Sequence, residues 1–183
     1  MNEDSLYIKQ FLAGENEGFE MLVRKYQNRV LNIVYSLISL DRESEDIMQE
    51  VFFKVYRSLK FFRQQSHFAT WLYRIAVNTT YDFLRKRKSF VSNDGGILEM
   101  SAFTGCGPRD TLLAKEKEII IQKALLSVPF KFRSALVLKD IEGLSYAQIS
   151  KVLCCRIGTV ESKIYRARRF LKNELLRSGR DMA

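Results

Sequence analysis

Four polar side chains near the carboxy terminus, Ser162, Lys163, Arg166 and Arg169, recur at intervals that place them on one side of a helix. Val160, Ile164, Ala167 and Leu171 fill the opposite side. Lysine and arginine neutralise phosphates, and an arginine can also fork onto the edge of a guanine. A second group mixes rings with cations. Phe61, Phe62, His67, Phe68, Trp71, Tyr73 and Tyr81 are interleaved with Arg63, Arg74, Arg85, Lys86, Arg87 and Lys88. Rings beside a basic track hold unstacked bases, each contact worth about 1 to 3 kcal/mol. A third group, Asp46, Gln49 and Glu50, is acidic and amide-bearing. In a strongly cationic chain such a face is unsuited to nucleic acid and suits a protein with a basic surface. All of this is recognition chemistry. For bond-making chemistry the parts are missing: there is no phosphate-cradling glycine loop, no HExxH and no carboxylate cluster for two metals, and the one histidine, His67, has no evident nucleophile to serve. No enzyme is expected.

Helices must position these groups. Residues 143–171 read as two short helices joined by a tight turn, the arrangement that lays one helix in the major groove of DNA. Ser145 caps the first helix, whose apolar residues are Ile149, Val152 and Leu153, and Thr159 caps or opens the second. Residues 41–59 form a helix with Ile47, Val51, Val55 and Leu59 inward and Asp46, Gln49 and Glu50 on another face. Within 60–88, Leu72, Ile75, Ala76, Thr79 and Phe83 point inward, leaving Arg74, Asn78, Asp82 and Arg85 toward a neighbouring face. Most of the rings belong in the core, since aromatics bury large apolar areas. The loop ending at Phe68, which lacks an apolar pattern, is where a ring is expected to be free for a ligand.

Only two prolines occur, and no segment sustains the period-two alternation of strands, so the chain is all-α. Between Ser89 and Arg109 helical periodicity stops, and Gly95, Gly96, Gly105, Gly107 and Pro108 accumulate. The expected organisation is two small helical domains, residues 1–88 and 110–177, joined by a flexible linker over 89–109, with a short tail over 178–183. Each domain is large enough for a modest core. A formal charge of +9 and a pI near 9.5 favour a polyanionic partner. The amino terminus lacks a basic start and an apolar core, and no run of eighteen apolar residues occurs, so a cytoplasmic protein without membrane insertion is expected. Cys106, Cys154 and Cys155 form no CxxC pair, so they read as reduced thiols, with no metal and no cofactor.

Taken in order, these segments resemble the extracytoplasmic-function (ECF) sigma factors of bacterial RNA polymerase. Glu45 to Phe52 resembles that family's core-binding motif. Phe68 to Asn78, followed by Asp82 and Arg85, resembles its melting and minus-ten segment. Val128-Pro129, Arg133, Glu142 to Tyr146, Ile149, Gly158-Thr159-Val160 and Arg166-Ala167-Arg168 resemble its fourth conserved region. The resemblance implies that Asp46, Gln49 and Glu50 dock on the clamp helices of the polymerase largest subunit. It implies that Phe68 captures a flipped base while Trp71, Asn78, Asp82 and Arg85 lie along the same minus-ten DNA. It further implies that Glu161, Ser162, Lys163, Tyr165 and Arg166 meet the minus thirty-five element, and that an anti-sigma protein is a possible further partner. The chain departs from the family pattern at Glu161, where a basic residue is common and where a carboxylate reads a cytosine amine or repels phosphate. It departs again at Cys154 and Arg156, in a turn where Gly and Pro are common. The competing expectation is a stand-alone helix-turn-helix repressor or activator, which accounts for 143–171 equally well but not for the acidic helix or the ring-and-cation segment.

Overall fold

A computed structural model describes residues 3–62, 66–94 and 112–180. Among these residues eight helices follow in order: α1 (Glu3–Leu12), α2 (Asn16–Ile38), α3 (Asp41–Ser58), α4 (Phe68–Asp94), α5 (Leu112–Ser127), α6 (Phe130–Leu136), α7 (Tyr146–Val152) and α8 (Ile157–Arg180). A 3-10 turn, Leu59–Phe61, ends α3, and a π-helical turn, Val137–Ile141, ends α6. Among the described residues there is no strand, as the missing alternation predicts.

In the first half, α2, α3 and α4 pack mutually and α1 lies along α2. The crossing of α1 and α2 is close because residue 18 is glycine: a Cβ there would sit 2.3 Å from the Tyr7 carbonyl oxygen. Asp4, 4% exposed, accepts hydrogen bonds from Tyr26 Oη and Lys25 Nζ, each at 2.8 Å, which offsets the cost of burying its charge. The expected inward stripe of α3 is realised, with Ile47, Val51, Val55 and Leu59 all buried. In the second half, α8 packs against α5, α6 and α7, and Val160, Ile164 and Ala167 are its buried stripe.

Two boundaries differ from expectation. Helix α4 continues to Asp94, six residues into the expected linker, because nothing between Ser89 and Asp94 breaks a helix and the first glycine is Gly95. The linker glycines, Pro108 and Cys106 lie outside the described residues. Helix α8 begins at Ile157 rather than at Thr159, whose amide already donates to the Arg156 carbonyl at 2.9 Å.

The two halves pack against each other, and buried residues from Ile8 to Ala167 form one continuous cluster. Among the described residues, polar and aromatic side chains meet across the seam. Ser39 Oγ donates to Gln122 Oε1 at 3.0 Å, and Arg74 Nη2 donates to the Lys151 carbonyl. The Tyr81 and Phe130 rings lie 5.4 Å apart. The buried Tyr73 hydroxyl lies between Arg29 and Glu142 without a hydrogen bond of good geometry to either. Burial, more than any neighbour, raises the pKa of Glu142, and Arg29 opposes that rise.

Candidate nucleic-acid interface

The helix pair begins at a capping box. Ser145 Oγ accepts from the Gln148 amide at 3.3 Å, and Gln148 Oε1 accepts from the Ser145 amide at 2.8 Å, so two orphan donors of α7 are satisfied reciprocally. Ile149 and Val152 face inward from α7. The turn into α8 needs a left-handed residue, and Cys154 supplies it at φ 50°. A residue with a Cβ pays about 1 to 2 kcal/mol in that conformation. Cys154→Gly is therefore expected to raise thermal stability by about 1 kcal/mol, read as an upward shift of the melting midpoint. An unchanged or lowered midpoint would show that the turn carries no strain.

Helix α8 presents Glu161, Ser162, Tyr165, Arg166 and Arg169 to solvent, and Lys163 is half-buried. A helix about 10 to 12 Å wide with side chains fits a major groove about 12 Å wide, so these groups can reach base edges. Ser162 Oγ donates to the Thr159 carbonyl at 2.9 Å, and Lys163 Nζ lies 3.9 Å from Cys155 Sγ, so both are held near the start of the helix. Tyr165 is 68% exposed. The Arg166 guanidinium stands 5.8 Å from the Phe132 ring, which itself stacks on Phe170 at 6.0 Å. Arg168 is directed away from this group: it forks onto Asp140 with contacts of 2.7 and 3.3 Å, and so ties α8 to the end of the π turn. Behind the pair, Arg133 is buried with no ion pair among the described residues. Its Nη1 donates to the Leu126 carbonyl at 2.8 Å, and burial pushes its pKa down to about 10.

In α4, Asn78 and Arg85 are exposed and Asp82 is half-buried, its carboxylate 3.2 Å from Arg85. Trp71 is half-buried, 4.9 Å from the Phe62 ring. One expectation fails here. Phe68 is 3% exposed and packs against Tyr26, Phe62 and Trp71 at 5.5, 6.0 and 5.8 Å, so its ring is core and not a free surface for a base. The cause is tertiary: Phe68 opens α4 facing α2, and Tyr26 covers it. The free ring beside this loop is Phe61, 71% exposed with Lys60 Nζ 5.0 Å from its centroid. The sequence offered one signal for Phe61, its place among the rings and cations of 60–88, but not which of those rings the core would take.

On α3, Asp46, Gln49 and Glu50 are all exposed on the side away from Ile47 and Val51. Glu50 is not wholly free. It pairs with Lys54 at 2.8 Å, and Lys54 also reaches Thr79 Oγ1 at 3.1 Å.

Residues 22–90 match the family described as sigma-70 region 2, and residues 118–171 the family described as sigma-70 region 4. The chain is 33% identical to the ECF RNA polymerase sigma-E factor of Haemophilus influenzae over 180 residues, covering 94% of this chain and 95% of the relative. This chain belongs to the ECF sigma factors. The sigma-E factor of Escherichia coli K12 is 34% identical, with 94% of each chain covered, and the sigma-H factor of Pseudomonas aeruginosa is 33% identical, again with 94% of each covered. Among solved structures, the Bartonella quintana sigma factor RpoE in complex with the anti-sigma factor NepR superposes with a TM-score of 0.73 at 27% identity, covering 86% of this chain and 96% of that one. CnrH, solved with the cytosolic domain of CnrY, has the same TM-score at 22% identity and shares the fold. In the sigma factor, region 2 therefore comprises most of α2, all of α3 and most of α4, and region 4 runs from α5 into α8. Among its described residues no helix is long and apolar enough to cross a membrane.

Proposed function

We propose that this sigma factor docks on core polymerase through Asp46, Gln49 and Glu50, lies along minus-ten DNA with Trp71, Asn78, Asp82 and Arg85, and reads the minus thirty-five element with Glu161, Ser162, Lys163, Tyr165 and Arg166. One observation carries the reading: the acidic face belongs to α3, while the groove-sized polar face belongs to α8 behind a capped turn. Protein docking and minus thirty-five contact thereby fall to different helices, α3 and α8. Phe61 replaces Phe68 as the ring offered to an unstacked base, with Lys60 beside it for the phosphate. The protein works in the cytoplasm and breaks no covalent bond, so specificity and strand opening both derive from binding energy. An anti-sigma protein is a fitting partner, as NepR is for the Bartonella quintana sigma factor RpoE.

The closed packing of the two halves requires a step before promoter recognition. A compact chain of 183 residues is about 40 Å across. Elements centred about 25 base pairs apart are separated by about 85 Å at about 3.4 Å per base pair. The closed form cannot touch both, so α4 and α7 must part, and the contacts at Ser39, Arg74 and Tyr81 must break. Opening is expected to require core polymerase, which the salt- and core-dependence of promoter binding would report.

Run-off transcription with purified core on a promoter library tests the proposal directly. The expected result is core-dependent initiation from promoters sharing two elements. Tight duplex binding by the free protein, with no transcript in the presence of core, would transfer the case to a stand-alone repressor. Within that assay, Arg166→Ala is expected to relax selection at one upstream base pair and to cost about 1 to 3 kcal/mol. A uniform loss over all sequences would mark it as a phosphate contact.

A further inference from the structure

Helix α3 has two adjacent phenylalanines with opposite fates. Phe52 is 7% exposed and joins the core, whereas Phe53 is 60% exposed. The spacing 46, 49, 50, 53, 57 follows one side of a helix, so Phe53 continues the stripe begun by Asp46, Gln49 and Glu50, opposite the buried Ile47, Val51 and Val55. Arg57 stands over it, its guanidinium carbon 5.6 Å from the ring centroid. We infer that Phe53 is the apolar anchor of the α3 docking surface, received by a cleft between basic side chains of a protein partner, with Arg57 closing the carboxy-terminal rim.

The pattern is that of a protein-binding centre. Such centres place an aromatic ring or an arginine in a desolvated pocket, inside a rim of polar groups that contributes less energy but keeps water out. Here the ring sits between an acidic and amide rim one turn before it and a cation one turn after it. Charge argues against single-stranded DNA as the occupant. Glu45, Asp46 and Glu50 are exposed on the preceding turns, and Lys54, the next residue along, is already held by Glu50 and Thr79. An exposed ring with a neighbouring cation could otherwise stack a base, so that outcome belongs in the test.

The inference rests on the proposal that α3 docks on core polymerase, and the two can fail separately. The measurement is competition binding of the full-length protein to purified core, over a salt series, for Phe53→Ala and for Asp46→Ala with Gln49→Ala. Loss of an apolar anchor is expected to weaken core affinity on the order of tenfold to thirtyfold, about equally at low and high salt. Loss of Asp46 is expected to flatten the salt dependence as well, because ion pairing is screened while burial of a ring is not. The melting midpoint of Phe53→Ala should match the parent, as the ring is outside the core. If Phe53→Ala binds core like the parent while the Asp46/Gln49 variant weakens, the anchor is wrong and the docking proposal stands. If neither weakens, both are wrong. If Phe53→Ala loses affinity for a single-stranded oligonucleotide but none for core, the surface belongs to DNA and the inference is overturned.

Discussion

A sigma factor bridged between positions 39 and 122 will bind core and yet make almost no transcript. The bridge is a short bis-maleimide joining Ser39→Cys to Gln122→Cys, in a chain whose Cys106, Cys154 and Cys155 are serines. Ser39 Oγ and Gln122 Oε1 are 3.0 Å apart in the closed form, so a short linker between cysteines at these positions keeps the two halves together at the seam. Ser39 already lies in the left-handed region at φ 52° as the C-cap of α2, and its side chain is half-exposed, so the replacement leaves the helix end intact. Held closed, a body about 40 Å across cannot reach elements about 85 Å apart, so two-element initiation should fall by at least about tenfold. The same double variant without the linker should transcribe as the parent does. Equal transcription by bridged and unbridged protein would show that the closed packing is compatible with promoter binding and would remove the opening step from the mechanism.

Phe68→Ala is expected to lose stability first and transcription only as a consequence. Its ring is buried against Tyr26, Phe62 and Trp71, and truncating a buried phenylalanine costs about 3 to 5 kcal/mol through lost transfer energy and the cavity left behind. For a chain of this size that lowers the melting midpoint on the order of 10 °C. Phe61→Ala, by contrast, removes a ring that is 71% exposed and should leave the midpoint where it is while weakening binding to minus-ten single strand by about 1 to 3 kcal/mol. The pair of variants separates core from ligand surface. A Phe68→Ala protein that melts like the parent yet fails to open promoters would restore Phe68 to the role its sequence position implied.

Trp71 shows why neither measurement suffices alone. It is half-buried and packs against Phe62 and Phe68, so its truncation touches both stability and the side of α4 proposed to lie along minus-ten DNA. A thermal melt must accompany any promoter-opening assay on that residue. The cation over Phe132 raises a similar point for Arg166: part of its contribution is packing against a ring in its own domain, which an alanine substitution removes together with any base contact.

The sequence by itself determined what depends on near neighbours in the chain. Helical period, absent strand alternation, the Ser145 cap, the inward stripes of α3 and α8 and the exposed acids of α3 all follow from local sequence, because a helix converts spacing into a face at 3.6 residues per turn. The segments Glu45 to Phe52, Phe68 to Arg85 and Val128 to Arg168 follow one another in the order on which the resemblance to the family rests. Tertiary structure alone decided which of several equivalent rings the core would take. Phe61, Phe62 and Phe68 share a residue type and lie within eight positions, yet Phe68 is buried against Tyr26, 42 residues away, and against Phe62 and Trp71, whereas Phe61 stands in water. It alone also decided that the two halves pack together, through Ser39 with Gln122 and Arg74 with Lys151. Such pairings join residues 77 to 83 positions apart, and no local period encodes a partner that far along the chain.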